Sequence, residues 1–506
     1  MTRDESPSRE AHEPENREVP QGTPGKVLRW AFALNWGQQG IAFLLTFVLA
    51  AILEPTSFGI LAMAMVYVGF LQLLQEQGLT SSIVQRKELR ALHLDSIFWV
   101  VLGGSLVLGL ISIGMSHWWA AVNQLPELAQ IITVLSVTLP LQALLMIPHA
   151  VLKRQLKFRE LALGSNISAL LGGIAGVSAA LGGAGVWALV VQQLCNQVLQ
   201  VTLLWPMSRW IPRIQFSGEA CRELLAFSFL TFLAKVGLFL RNQSTVLLAG
   251  ILLGPVAVGL YRLADRLRNT IMQLTLTPLY DVALPELSQL QDQPGLLRDN
   301  VLRRLRLSSL IIIPTMAAVA ALSDPLTLAL GPQWADASHV IKVLCAMGAL
   351  QTVNASPGQV LVAKGRVRLL NMLVWSLASV HFVAILITAY AMRNDSVSTK
   401  VLAIASAQAL VVLLVSTPAS YACLRSVCPI TIPQMARATG PALLSGALVV
   451  FSFMATVSTG LLSPLSPIPA LALSVLIVGI SAVLSLLILD GDLRARVLGN
   501  SRRITG

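Results

Sequence analysis

Apolar residues along this 506-residue chain gather into fourteen stretches, most of them 20 residues or longer, separated by short polar connections. A bilayer core about 30 Å thick takes about 20 apolar residues of helix per crossing. The pattern therefore predicts transmembrane helices near 29–53, 56–76, 95–116, 126–150, 160–181, 185–207 and 223–250. Seven more follow near 255–290, 302–323, 338–363, 369–392, 401–424, 438–460 and 468–490. The predicted fold class is an all-α integral membrane protein of about 14 transmembrane helices.

Charge sets the expected orientation. Most of the 36 basic residues fall in the N-terminal tail, the even-numbered connections and the C-terminal tail, among them Arg86, Lys87, Arg90, Lys153, Arg154, Lys157 and Arg159. The odd-numbered connections hold only Arg393 and Lys400. Cytoplasmic loops carry the lysine and arginine excess, so both termini are expected in the cytoplasm. Topology accounts for the net charge of +12. Nucleic acid is not implied as a partner, because basic residues scattered over short loops form no continuous stripe.

The chain is 55% hydrophobic and only 12% charged, against about a quarter charged in soluble domains. Residues 1–26 mix Asp4, Glu5, Glu10, Glu13, Glu15 and Glu18 with prolines and serines, and read as a disordered cytoplasmic tail. They lack the apolar core of a cleavable signal peptide. Cys195, Cys221, Cys345, Cys423 and Cys428 are too scattered for a metal cage or disulfide framework. No cofactor is expected.

The sequence repeats. Leu53-Glu54-Pro55-Thr56-Ser57-Phe58-Gly59 is echoed 200 residues on by Leu253-Gly254-Pro255-Val256-Ala257-Val258-Gly259. Leu141-Gln142, Pro148, Val151-Leu152, Lys157 and Arg159 return 209 residues on as Leu350-Gln351, Pro357, Val360-Leu361, Arg366 and Arg368. Six crossings per copy is an even number, so the copies enter the membrane the same way round. The expected organisation is a tail over 1–26, six-helix lobes over 27–215 and 216–430, two extra helices over 431–492, and a basic tail over 493–506.

Polar residues inside the apolar stretches carry the candidate chemistry. Arg262, Asp265, Arg266, Asn269, Gln273, Thr277 and Tyr280 recur every three or four residues along the eighth helix. Charged side chains are costly toward lipid and normally face the bundle interior or a wet cavity. Lys235 is expected near the midplane of the seventh helix with Ser228, Thr231 and Asn242, and Asn35, Gln38, Gln39 and Thr46 form a similar face on the first. The candidate substrate-binding set is Lys235, Arg241, Arg262, Arg266, Asn269, Gln273, Asn35, Gln38 and Gln39, with Asp265 as counter-ion and Arg268 within its reach. For Arg241 and Arg262, near the outer end, snorkelling to headgroups is the plain alternative. Tyr261, Trp30, Trp187 and Trp334 fit interfacial belts or packing, and the isolated His149 and His381 are given no role.

The stretch Gly78-Leu79-Thr80-Ser81-Ser82-Ile83-Val84-Gln85-Arg86-Lys87 resembles a motif of bacterial polysaccharide-export and O-antigen flippases, within the multidrug, oligosaccharidyl-lipid and polysaccharide exporter superfamily. Gly185-Val186-Trp187-Ala188-Leu189-Val190, Gly254-Pro255 with Gly259-Leu260-Tyr261 and Ala264, and Leu361-Val362-Ala363-Lys364-Gly365-Arg366 are similar to further family stretches. The resemblance covers roughly residues 30–430. It implies two six-helix lobes in a V and passage of a lipid-linked oligosaccharide by alternating access. Many relatives carry an acidic residue near the outer end of the seventh helix, where this chain has Ser244 and Thr245. That departure argues against carboxylate-based ion coupling there.

The reading is a non-enzymatic flippase of the bacterial inner membrane. Its expected cargo is an undecaprenyl-pyrophosphate-linked sugar repeat for surface polysaccharide, with a polysaccharide polymerase and other assembly proteins as further partners. No G-x-x-x-x-G-K-[ST] phosphate loop is present, so ATP is not expected to be used. The alternatives are a multidrug exporter, against which the basic faces argue, and a membrane-embedded glycosyltransferase or polymerase, for which the short outer connections leave little room.

Overall fold

The computed structural model describes residues 24–76, 91–459 and 467–489, and every regular element among them is helical. The helices are α1 (Pro24–Ile52), α2 (Pro55–Glu76), α3 (Ala91–Val122), α4 (Glu127–Leu135), α5 (Thr138–Arg154), α6 (Phe158–Leu181) and α7 (Val186–Ser208). After a connection over 209–217 come α8 (Gly218–Leu253), α9 (Pro255–Gln289), α10 (Pro294–Ala321), α11 (Ser323–Leu330), α12 (Ala337–Gln351), α13 (Ser356–Ala363) and α14 (Val367–Ala391). The last are α15 (Val397–Val411), α16 (Thr417–Arg425), α17 (Ile432–Ser458) and α18 (Pro467–Leu489). Pro24 to Lys26, expected in the tail, open α1. The remainder of that tail, the Gly78–Lys87 motif and the basic C-terminal tail lie outside the described residues.

Among the described residues, 11 helical segments are long and apolar enough to cross a membrane. Each of the three remaining predicted stretches is helical but differs for a visible reason. α7 carries Gln192, Gln193, Asn196, Gln197 and Gln200. α9 carries Arg262, Asp265, Arg266 and Arg268 within its apolar half. The stretch over 337–363 is interrupted between α12 and α13 by a short 3-10 turn, Val353–Ala355.

The elements start where the sequence can start them. Gly254 takes a φ of 88°, which costs a residue without Cβ little, and Pro255 then opens α9 with its ring pre-set to the helical φ. In the first half α6 packs along α7 and α1, and α3 packs on α4 and α5. Gly172 and Gly176 make the α6–α7 approach possible: a Cβ there would stand 2.8 Å from the Asn196 Cβ and 2.7 Å from the Gln192 Cβ. Small residues four apart are the usual means by which spanning helices come this close. In the second half α8 packs on α14, α10 on α12, and α12 on α15, while α17 lies along α10 with α18 beside it. The halves meet chiefly where α2 lies against α9. One continuous buried cluster there includes Ile60, Met63, Ala64, Val258, Leu260, Leu263 and Ala264.

Candidate functional site

The seam where α2 meets α9 carries the two echoed proline–glycine motifs. α2 and α9 approach at their first turns so closely that a Cβ on Gly59 would overlap the carbonyl oxygen of Pro255, and one on Gly259 would overlap that of Pro55. Each glycine meets the partner copy's proline, the reciprocal pattern that a two-fold axis produces. At the same end the fully buried Trp334 donates its indole N–H to the carbonyl oxygen of Ala50 at 2.7 Å, and its ring meets Phe58 edge-on at 5.5 Å. Glycine, proline and tryptophan thus pack this end tightly.

Two polar contacts bridge the seam further down. Gln39 on α1 donates to Gln273 on α9 at 2.6 Å. Lys235 on α8 forms an ion pair of 2.8 Å with Glu76, the last residue of α2. From Lys235 to Leu253 the helix rises about 27 Å, which places Lys235 halfway along the 36 residues of α8 and level with the last residue of α2.

Arg266 stands about 16 Å along α9 from Pro255. Arg262, Arg266 and Gln273 lie within about 40° of one another around the helix, so both arginines share the face that reaches α1 through Gln273. Arg262 donates to Gln243 of α8 at 3.1 Å. Among the described residues the buried Nε of Arg266, like that of Arg268, has no hydrogen-bond partner, and no carboxylate pairs with the Arg266 guanidinium.

Asp265 belongs to a different environment. It pairs with Arg268 at 2.6 Å, both side chains being nearly buried, and accepts from Asn269 at 2.8 Å. Arg268 also donates to Gln351 of α12 at 2.6 Å and to the Asn269 side chain at 3.0 Å. Beside them Tyr261 donates to Gln408 at 2.9 Å, and Gln408 donates to Thr245. Asp265 is thus the counter-ion of Arg268, and Asn269 is turned into the second half rather than toward the seam. Arg241, Asn35 and Gln38 are half-buried on α8 and α1.

At the tryptophan-closed end, Asp324 takes the Lys342 ammonium on both oxygens at 2.9 and 2.8 Å and accepts from Ser338. Burial pushes this carboxyl up, but the bonds from Lys342 and Ser338 outweigh it and hold the group below its ordinary range. Among the described residues no group of three or more His, Cys, Asp or Glu could hold a metal ion.

Comparison with known proteins agrees with this architecture. Residues 48–339, more than half the chain, match the family described as polysaccharide biosynthesis protein. The chain belongs to that family. It is 30% identical to the succinoglycan biosynthesis transport protein ExoT of Rhizobium meliloti, over 62% of this chain and 64% of ExoT. It is 29% identical to the lipopolysaccharide biosynthesis protein WzxC of Escherichia coli, over 65% and 67% of the two chains. The match to ExoT therefore spans slightly less than two thirds of that relative's length. Among solved structures, the lipid II flippase MurJ in an inward closed conformation superposes with a TM-score of 0.66 at 12% identity, covering 91% of this chain and 97% of MurJ. An inward-facing multidrug resistance MATE transporter of the MOP superfamily superposes with a TM-score of 0.56 at 12% identity, over 85% and 99%. These likenesses show the fold.

This polysaccharide biosynthesis family member holds several polar groups that its sequence alone did not single out. Glu76 reads as a solvated helix end, and nothing local marks it as the partner of Lys235, 159 residues away. Gln351 and Gln408 were detectable in principle, as lone amides in apolar stretches that need buried partners. Gln243 sits next to Asn242, and only the angle between α8 and α9 decides which of the two amides meets Arg262.

Proposed function

We propose that this protein is a flippase that carries an undecaprenyl-pyrophosphate-linked oligosaccharide from the cytoplasmic to the periplasmic leaflet of the bacterial inner membrane for surface polysaccharide assembly. Two six-helix lobes, with α17 and α18 standing outside the repeat, rock about the seam and expose it to each side in turn. The tryptophan-closed end faces the periplasm. The named activity of ExoT in succinoglycan transport, the lipopolysaccharide role of WzxC and the flippase fold of MurJ all support the cargo class.

The observation that carries the reading is Arg266. A guanidinium with a buried Nε and no carboxylate partner among the described residues is costly unless an anion joins it. Arg268 is already neutralised by Asp265 and Lys235 by Glu76, whereas Arg262, one turn from Arg266, meets the neutral Gln243 amide. A pyrophosphate supplies the missing acceptor oxygens and matches the planar fork of arginine. Sugars pass along the amides of Gln38, Gln39 and Gln273, while the polyprenyl tail stays in lipid. The drive is an ion gradient, the membrane potential or consumption of product. A multidrug exporter of the same fold would take mostly cationic cargo, which this seam repels.

Arg266→Ala tests it. Expression and membrane insertion stay normal, surface polysaccharide falls sharply, and the lipid-linked repeat unit accumulates in the cytoplasmic leaflet. Wild-type surface polysaccharide at normal protein abundance would falsify the assignment.

A further inference from the structure

The connection over 209–217 leaves α7 at Arg209, whose φ of 53° is left-handed, and enters α8 at Gly218. Its backbone is tied to the start of α3. The Arg213 N–H donates to Asp95 at 3.2 Å, the Ser217 N–H donates to the Ser96 hydroxyl at 2.9 Å, and the Trp99 indole donates to the Arg213 carbonyl at 2.8 Å. The Phe98 ring is met edge-on by Trp205 and Trp210 at 5.9 and 5.2 Å. Asp95 and Ser96 are fully buried, so the two ties they accept are anchored in the core and fix the path of the connection.

Its outward side chains contrast with this firm seating. Ile211, Ile214 and Phe216 are 78%, 94% and 66% exposed. Arg209, just before them, and Arg213, between Ile211 and Ile214, are exposed, and 209–217 contains no acidic residue. Non-helical backbone cannot enter hydrocarbon, because its N–H and C=O groups would lose their partners. Three bare apolar side chains are equally ill-suited to open water. Headgroup depth satisfies both constraints. The connection also stands at the foot of an apolar stripe on α3, where Trp99, Leu106, Leu110 and Ile113 are exposed along one face toward what only lipid would cover.

We propose that 209–217 is an interfacial anchor for anionic phospholipid. Ile211, Ile214 and Phe216 dip among the upper acyl carbons, and Arg209 and Arg213 bind lipid phosphates of the leaflet on the basic side, the cytoplasmic one in the orientation adopted above. The one covalent link between the lobes is thereby held at a fixed depth, and leaflet charge sets how firmly. The inference needs the chain to span a bilayer in that orientation, and is independent of what the cargo is.

The test places a single cysteine at Ile214 in the full chain, in a background without the native cysteines, and labels it with a polarity-sensitive fluorophore. The protein is reconstituted in phosphatidylcholine vesicles with or without phosphatidylglycerol. The expected result is blue-shifted emission and quenching by lipids spin-labelled near the headgroup boundary, stronger with phosphatidylglycerol. R209Q and R213Q should each weaken the phosphatidylglycerol-dependent part roughly fivefold. Water-like emission without lipid quenching overturns the anchor, as does shielding that appears only when a soluble cytoplasmic protein is added. Quenching indifferent to both phosphatidylglycerol and the arginines overturns the anionic-lipid assignment. None of these readouts depends on transport, so loss of the cargo hypothesis leaves the result interpretable.

Discussion

Gly59 stands where any side chain would strike the carbonyl oxygen of Pro255, and the repeat turns that contact into a pair through Gly259 and Pro55. Both copies of the motif are therefore needed at the same point of the seam.

The two glycines should respond alike. Gly59→Val and Gly259→Val each force α2 from α9, and overpacking of this kind typically costs about 1–3 kcal/mol. Thermal unfolding of the purified protein should show similar losses for the two variants. A variant tolerated at one position and not at the other would argue against the two-fold arrangement.

Asp265 and Arg268 should behave as structural partners. Removing one member of a buried pair strands the other and costs about 3–5 kcal/mol, so Asp265→Asn should lower stability and membrane abundance. Arg266→Ala should do neither, since among the described residues it strands no carboxylate partner. Equal loss of abundance in both variants would contradict the separation of the buried pair from the seam.

The Lys235–Glu76 pair is accessible to solvent on both sides, at 29% and 40% exposure. Such pairs contribute at most about 1 kcal/mol. Glu76→Gln should leave stability nearly unchanged yet alter transport, because the bond spans the seam that must open. A double-mutant cycle of Glu76→Gln with Lys235→Gln should show coupling in export and little in unfolding.

Acid should weaken the tryptophan-closed end through Asp324. Its carboxyl is held below the unfolded value of about 4, so the stability it adds is present above that pH and is lost as pH falls through the folded value. The side chain is 56% exposed, so the loss is below about 1 kcal/mol. Unfolding followed from pH 7 to 3 should lose this increment in the native protein and lack it in Asp324→Asn.

Orientation can be read with an impermeant thiol reagent on intact cells. Single cysteines at the exposed Gln124 and Asp336 should react from outside, and those at the exposed Gln155 and Ser426 should not. Reversed labelling would overturn the direction of transport proposed here.

Much of this was legible in the sequence for a physical reason. Lipid demands long apolar helices, so hydropathy alone marks where they lie, and the 200-residue echo of Pro55 and Gly59 already paired the helices that now touch. The helical period also placed Arg262, Arg266 and Gln273 on one stripe. Partnership was decided by the tertiary structure. The seam brings Lys235 its partner Glu76, and α12 brings Gln351 to Arg268. Whether a buried charge is compensated depends on groups far away in the chain. Asp265 could as readily have neutralised Arg262, three residues before it, and only packing of α9 against α12 and α15 turns it to Arg268; among the described residues no carboxylate pairs with Arg266.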